Sequence, residues 1–360
     1  MKNISKIICL ILPFFLLSCS QTSDIINFND VENETGGVSI VLEDFAKDKT
    51  INEVDENIET TEITYSVEGI DNKEIEIYDF FENKSSVNID DLKVITLGSE
   101  CTNMWALLGG NVYATTEESL NTSIENNFIS PINDVIIIGN DSNIDKEKLY
   151  EIEPNFVIFD AVTPENVTLG AELRSKGINT YFFEIKSYED YLLVMEDFSY
   201  MLKNESEYVN SVINSKSNIS DILNNVPSDF TKNVLILEID GDKINIIEDG
   251  NFVDSIFDDF NCTNVANYDK DVLNEILDED IDDIENTIDY IFAYSASDNY
   301  ENDVETFNTY IKGSLNWLNL DVVKEGCVIE LSKEMFAHTP EDKWEDNYNF
   351  LNSIFFKSEV

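Results

Sequence analysis

The 360-residue chain contains one histidine, His338, and one arginine, Arg174, and that scarcity decides which chemistry its side chains can perform. A His-rich site for a bare transition-metal ion cannot be assembled, and a Ser-His-Asp or Cys-His mechanism would have to centre on His338. The five cysteines, Cys9, Cys19, Cys101, Cys262 and Cys327, lack the close spacing of a metal knuckle. The chain has no Gly-rich phosphate loop, nucleophile elbow or His-Glu metal signature. Paired carboxylates occur throughout and therefore identify nothing. These residue types describe a binding protein rather than an enzyme, with no cofactor of its own.

The N-terminus carries a different chemical signal. Lys2 and Lys6 flank the apolar run Ile7 to Leu17, which is too short to span a bilayer but suits the core of a signal peptide. The run ends in Leu16-Leu17-Ser18-Cys19, which resembles the lipobox of bacterial lipoproteins. That resemblance implies removal of residues 1–18 and lipidation of Cys19. The product would be an exported protein held by its lipid in a periplasm or on the outer face of the cytoplasmic membrane. Cys9 leaves with the leader, and the remaining three thiols suit small, mostly buried side chains.

Composition narrows the partners. Against 22 Lys and Arg stand 73 Asp and Glu, a formal charge of −51 that deepens by two when Lys2 and Lys6 are removed. Such a field opposes nucleic acid and anionic lipid surfaces. The 42% hydrophobic and 11% aromatic content still supplies folded cores, so the acidity belongs to a surface.

The elements that must position any site follow from hydrophobic periodicity. Residues 19–60 are acidic and aperiodic, which predicts a disordered tether. Ile63 to Val67 and Glu74 to Tyr78 alternate and predict a hairpin. Strand runs at 94–97, 135–138, 156–159 and 181–184 then alternate with helical patterns at 99–108, 145–152 and 165–176, a βαβ rhythm that predicts a parallel sheet covered by helices. Across 187–226 the apolar residues recur at helical spacing, which predicts one long helix. Strands at 234–238, 243–247, 290–294 and 327–331 and a closing helix through Trp344, Tyr348, Leu351 and Phe355 follow. The expected architecture is an α/β lobe at 61–186, a helical backbone at 187–226 and a second α/β lobe at 227–360, with a ligand cleft between the lobes.

The segment Lys93-Val94-Ile95-Thr96-Leu97-Gly98-Ser99-Glu100-Cys101-Thr102-Asn103-Met104-Trp105 through Gly110 resembles the first strand–helix unit of class III solute-binding proteins of ABC importers. Ile152-Glu153-Pro154-Asn155-Phe156, Gly250 to Asp254 with Cys262 to Ala266, Val323 to Ile329, and Phe336 to Trp344 resemble further family motifs in family order. Asn103 stands where the family usually has glutamate, Cys262-Thr263 where it has a glycine pair, and Ile288 where it has proline. The resemblance implies capture of cobalamin, haem or an iron–siderophore complex and delivery to a permease and its ATPase. It also implies that Glu147, with Asp282 or Asp280 in the second lobe, docks against permease arginines. A monomer is expected. A surface lipoprotein that uses the same fold for protein interaction is the alternative.

Loops at the carboxyl ends of parallel strands nominate Ser99, Glu100, Cys101, Asn140 and Asp160 from the first lobe as cleft residues. Asn251, Phe252, Tyr294 and His338 are nominated from the second. Met104 and His338 are also chemically able to serve as axial haem ligands, whereas Trp105 reads as core. With one arginine and so strong a negative field, a highly anionic catecholate is disfavoured, leaving a bulky, near-neutral or modestly charged metal chelate. Cys19→Ala is expected to abolish lipid labelling and release the protein from membranes. Detergent-phase partition that survives the substitution would refute the lipoprotein assignment.

Overall fold

The computed structural model describes residues 74–267, 288–313 and 315–356. The leader 1–18, Cys19, the tether 19–60, the strand Ile63 to Val67, Asp280 and Asp282 lie outside the described residues. Among the described residues, no helix is long and apolar enough to cross a membrane. Glu74–Tyr78 (β1) does form a hairpin, but with Lys84–Asn88 (β2), in an antiparallel register from Glu74 opposite Asn88 to Tyr78 opposite Lys84. Asp79 makes this turn: its carboxylate accepts from the backbone N–H of Phe81 and Asn83 and pairs with Arg174 at 3.1 Å.

The first sheet is parallel throughout. Val94–Leu97 (β3) pairs on one side with Val112–Thr115 (β4) and on the other with Phe156–Asp160 (β8). The order is β5-β4-β3-β8-β9, where β5 is Ile136–Ile137 and β9 is Asn179–Phe183. Every residue of β3 is buried, as the central strand of a sheet covered on both faces requires. A short antiparallel hairpin of Gly139–Asn140 (β6) and Asn143–Ile144 (β7) follows β5. Helices Ser99–Leu107 (α1), Glu117–Glu125 (α2), Lys146–Ile152 (α3) and Pro164–Ser175 (α4) lie between the strands in sequence. Gly170 lets α4 approach closely, because a Cβ there would fall 2.2 Å from Phe182 Cζ, on a ring that stacks on Phe159 at 4.7 Å.

The linking segment is helical but is not the single uninterrupted helix that its periodicity suggests. Tyr188–Leu202 (α5) ends at Lys203, which adopts a left-handed φ of 53°. Glu205–Tyr208 (α6), a π-helical turn at Val209–Ile213 and Asn214–Asn224 (α7) continue it. The break is anchored to the first sheet's helices, since Asn204 Nδ2 donates to Leu108 O at 2.9 Å. Gly109 makes room for this contact: its φ is +80°, and a Cβ on it would sit 2.8 Å from Asn204 Nδ2. Side-chain periodicity is blind to one residue that reverses its backbone, which explains the difference.

The second sheet has the order β11-β10-β13-β14. Lys232–Asp240 (β10) is its long strand, with Tyr290–Ser295 (β13) parallel along one edge. Its other edge is shared by the antiparallel hairpin partner Lys243–Ile246 (β11) and by Cys262–Asn264 (β12). Val328–Glu330 (β14) extends β13 in parallel. Leu235, Leu237, Ala293, Phe307 and Trp317 pack one core against this sheet. The closing helix Trp344–Phe356 returns to the linking segment, where Asn218 Nδ2 donates to Glu345 at 3.0 Å.

Candidate functional site

Gly98, at φ 112°, turns the end of β3 into α1. The helix starts without a side-chain cap on its first N–H groups, and Glu100 supplies an acid in its first turn. Cys101 points back into its own lobe, with its thiol donating to Leu97 O at 3.2 Å. Met104 and Trp105 are both buried, and the Trp105 ring meets Phe198 edge-on at 5.3 Å. Asn103 is also fully buried, and Ser123 Oγ fixes its amide by donating to Oδ1 at 2.5 Å. The opposite end of that amide faces the far end of the chain, where Nδ2 donates to Glu341 Oε1 at 2.6 Å. Two side chains 238 positions apart thus join α1 to the loop before the closing helix.

That loop is positioned by aromatic packing. Trp344 lies 5.2 Å from Tyr188, 5.6 Å from Tyr191 and 6.0 Å from Phe252, the first residue of Phe252–Asp259 (α8). The rings seat the closing helix simultaneously on the linking segment and on the second lobe. Thr339 and Glu341 consequently face α1, with Thr339 hydrogen-bonded to Glu100.

This floor is acidic and partly buried. Burial pushes the Glu341 carboxyl up to about 8; the charge of Glu100 adds to the rise, and the Asn103 hydrogen bond and Lys343 oppose it. Burial likewise pushes Glu100 up to about 7, against the Thr339 hydrogen bond and helped by the charge of Asp160. Glu100 Oε1 is buried without a hydrogen-bond partner, as is the Tyr191 hydroxyl. The Tyr191 hydroxyl is raised well above its ordinary value, first by burial and then by the charges of Tyr188, Asp342 and Glu341.

The nominated residues divide. Glu100 lies at the floor, next to Ser99 at the start of α1. Asp160 is turned to local work: its carboxylate accepts from the N–H of Thr163 at 2.7 Å and from Asn166 Nδ2 at 2.7 Å, at the start of α4. Asn251 caps α8 through a 2.8 Å bond from Val253 N–H, and Phe252 is packed on Trp344. Tyr294 is 2% exposed and donates to Glu238 within the second lobe, so it is a core residue rather than an open cleft wall. His338 is exposed in the loop that carries Glu341. Asn140 is exposed too and lines a shallow surface hollow of about 550 Å³ with Glu147, so the structure places it beside that exposed acid and not with Glu100. Sequence reasoning missed Asn103, Tyr191, Thr339, Glu341 and Trp344 as site residues. The one available signal was Asn103, at a position where a family pattern differs.

No family model matches the chain, and no curated protein matches it in sequence. Solved structures do match. A periplasmic binding protein from Veillonella parvula aligns with a TM-score of 0.58 at 14% identity, covering 80% of this chain and 99% of that one. An ABC transporter substrate-binding protein from Listeria monocytogenes aligns with a TM-score of 0.56 at 13% identity, covering 74% of this chain and 100% of that one. Staphylococcus aureus IsdE, complexed with heme, aligns with a TM-score of 0.54 at 15% identity, covering 73% and 99%. The chain therefore has the fold of the two-lobed substrate-binding proteins of ABC transporters. Other structures with this fold include a possible iron-binding periplasmic solute-binding protein from Staphylococcus epidermidis, with a TM-score of 0.55 at 12% identity, covering 73% of this chain and 98% of that one.

The raised carboxyls set a pH dependence. Above the ordinary glutamate value of 4.5 the folded protein keeps protons that the unfolded chain has released, on Glu100 up to about 7 and on Glu341 up to about 8. Their contribution to stability is complete at low pH and is lost as pH rises through this window. Asp197, pushed up to about 6 mainly by burial, adds to the lower part of it. Urea midpoints should therefore fall as the pH rises from 4.5 to about 8. Glu341→Gln should flatten the fall, and an unchanged slope in that variant would show that Glu341 is not buried as described.

Proposed function

We propose that this chain is the solute-recognition component of an ABC importer, capturing a bulky metal chelate between its lobes and passing it to a permease. The observation that carries this reading is the junction itself: the buried Asn103 of α1 bonds Glu341 in the loop before the closing helix, and Trp344 at the end of that loop packs on the linking segment. Such a junction is where small molecules bind in two-lobed α/β proteins. The fold neighbours fit the same reading. IsdE is complexed with heme, and Helicobacter pylori CeuE is seen with nickel and histidine.

The donor chemistry favours an intact chelate over a bare ion. Cys101, Cys262 and Cys327 are all buried, and His338 is the chain's only imidazole. Glu147 is exposed in the first turn of α3, where a carboxylate is open to an arginine on a permease surface and promotes fast, oriented encounter. Asp282 is its proposed counterpart in the second lobe. Lipid anchoring through Cys19 keeps this encounter at the membrane. Titration calorimetry of the full chain against haem, cobalamin and ferric hydroxamates, with free zinc and manganese in parallel, tests the reading. Tight binding of a chelate is expected, while tight binding of a free ion with no response to any chelate would overturn it.

A further inference from the structure

Three exposed aromatic rings lie together at the tip of the β1–β2 hairpin. Tyr78 is 59% exposed, Phe80 49% and Phe81 41%. They are held in place rather than carried on a loose loop. Phe81 meets the buried Phe182 edge-on at 5.3 Å, Phe80 meets Phe81 edge-on at 5.1 Å, and the Phe80 N–H donates to Phe182 O at 2.8 Å. Asp79 fixes the turn between the rings. Its Oδ1 accepts from the N–H groups of Phe81 at 3.0 Å and Asn83 at 2.8 Å, and its Oδ2 receives Arg174 Nη1 at 3.1 Å. The only arginine of the chain is therefore committed to a turn that holds apolar rings in water. The tip is also close to neutral in a chain of formal charge −51. Asp79 is buried against Arg174 and Glu76 pairs with Lys84 at 2.5 Å, which leaves Glu82 as the acid of this turn outside an ion pair.

Two observations select what the rings meet. Three side chains fall far short of the roughly 20–30 residues a side that a stable protein interface uses. The second is the route of the chain: residues 19–73 join Cys19 to Glu74, the first residue of β1, so the rings sit on the first described element after the proposed lipid anchor. A lipid that already holds the domain beside a bilayer raises the effective concentration of that surface. A contact of a few rings, too weak to bind a membrane by itself, is then occupied. We propose that the Tyr78–Phe80–Phe81 tip is a lipid-contact site, which enters the interface of a zwitterionic bilayer when Cys19 holds the protein there. The inference rests on the lipid-anchor reading and adds to it that the first lobe rests on the membrane instead of swinging freely on its tether. Phe80 and Phe81 supply the apolar area, and Tyr78 supplies a phenol suited to the headgroup level. The Asp79–Arg174 pair presents the rings in advance, so contact costs little ordering.

Indole fluorescence on vesicles tests the proposal. Trp105, Trp317 and Trp344 are all buried, so an indole introduced by Phe80→Trp reports the tip. The full-length lipidated chain is placed on phosphatidylcholine vesicles with plain or brominated acyl chains. The introduced indole should lose most of its emission on the brominated vesicles, and Phe81→Trp, a second reporter, should behave alike. Ile132→Trp, at an exposed residue of the loop between α2 and β5, should keep its emission. Unquenched indoles in both tip variants, on vesicles that retain the chain, would place the rings against water or another protein; that result overturns the lipid contact and leaves the anchor intact. Equal quenching in Ile132→Trp would also overturn it, because any exposed ring would then meet the bilayer. A chain that does not stay on the vesicles would overturn the anchor and the contact together.

Discussion

Trp344 fills the point where three parts of the chain converge, and the arrangement of the candidate site depends on its packing. Its ring is fully buried among Tyr188 and Tyr191 of the linking segment and Phe252 of the second lobe. Aromatic pairs of this kind contribute about 0.5–1.5 kcal/mol each beyond the area they bury. Several acting together fix the register of the closing helix on α5. That register decides what the preceding loop presents to α1, and it presents Thr339 and Glu341. Asn103 completes the connection, because its buried amide reaches both Ser123 in its own lobe and Glu341 beyond it.

The electrostatics of the floor follow from this placement. In a chain of formal charge −51, most carboxylates remain in water, where their cost is small. Glu100 and Glu341 are exceptions, and burial raises both toward neutrality. The interrupted linking segment also bears on motion, since the left-handed Lys203 divides what periodicity presents as one rod and Asn204 ties the break to the end of α1.

The fold class was legible because the central strands are largely apolar runs, as with Val94–Leu97 and Phe156–Phe159, and helical patterns separate them. Val112–Thr115 escaped notice because Tyr113 and Thr115 dilute its apolar character, although the sheet needs it beside β3. β2 was hidden for a similar reason, being a strand of Lys84, Ser85, Ser86, Val87 and Asn88 with one buried apolar side chain and one buried serine. The site was less legible than the fold. Loop position after a strand nominated Glu100, Asp160 and Asn251 alike, and the carboxylate and amide of the last two satisfy the backbone at the starts of α4 and α8. Glu341 and Tyr191 acquire their meaning only when sequence-distant segments meet, a pairing that no local pattern carries.

The coupling between Asn103 and Glu341 tests that meeting most directly. A double-mutant cycle with Asn103→Ala and Glu341→Ala, read by urea unfolding, isolates the term that exists only if the two side chains touch in a buried setting. A coupling of about 0.5–3 kcal/mol is the result this arrangement requires. Additivity within about 0.3–0.5 kcal/mol would place the residues apart and contradict the floor on which the functional reading stands.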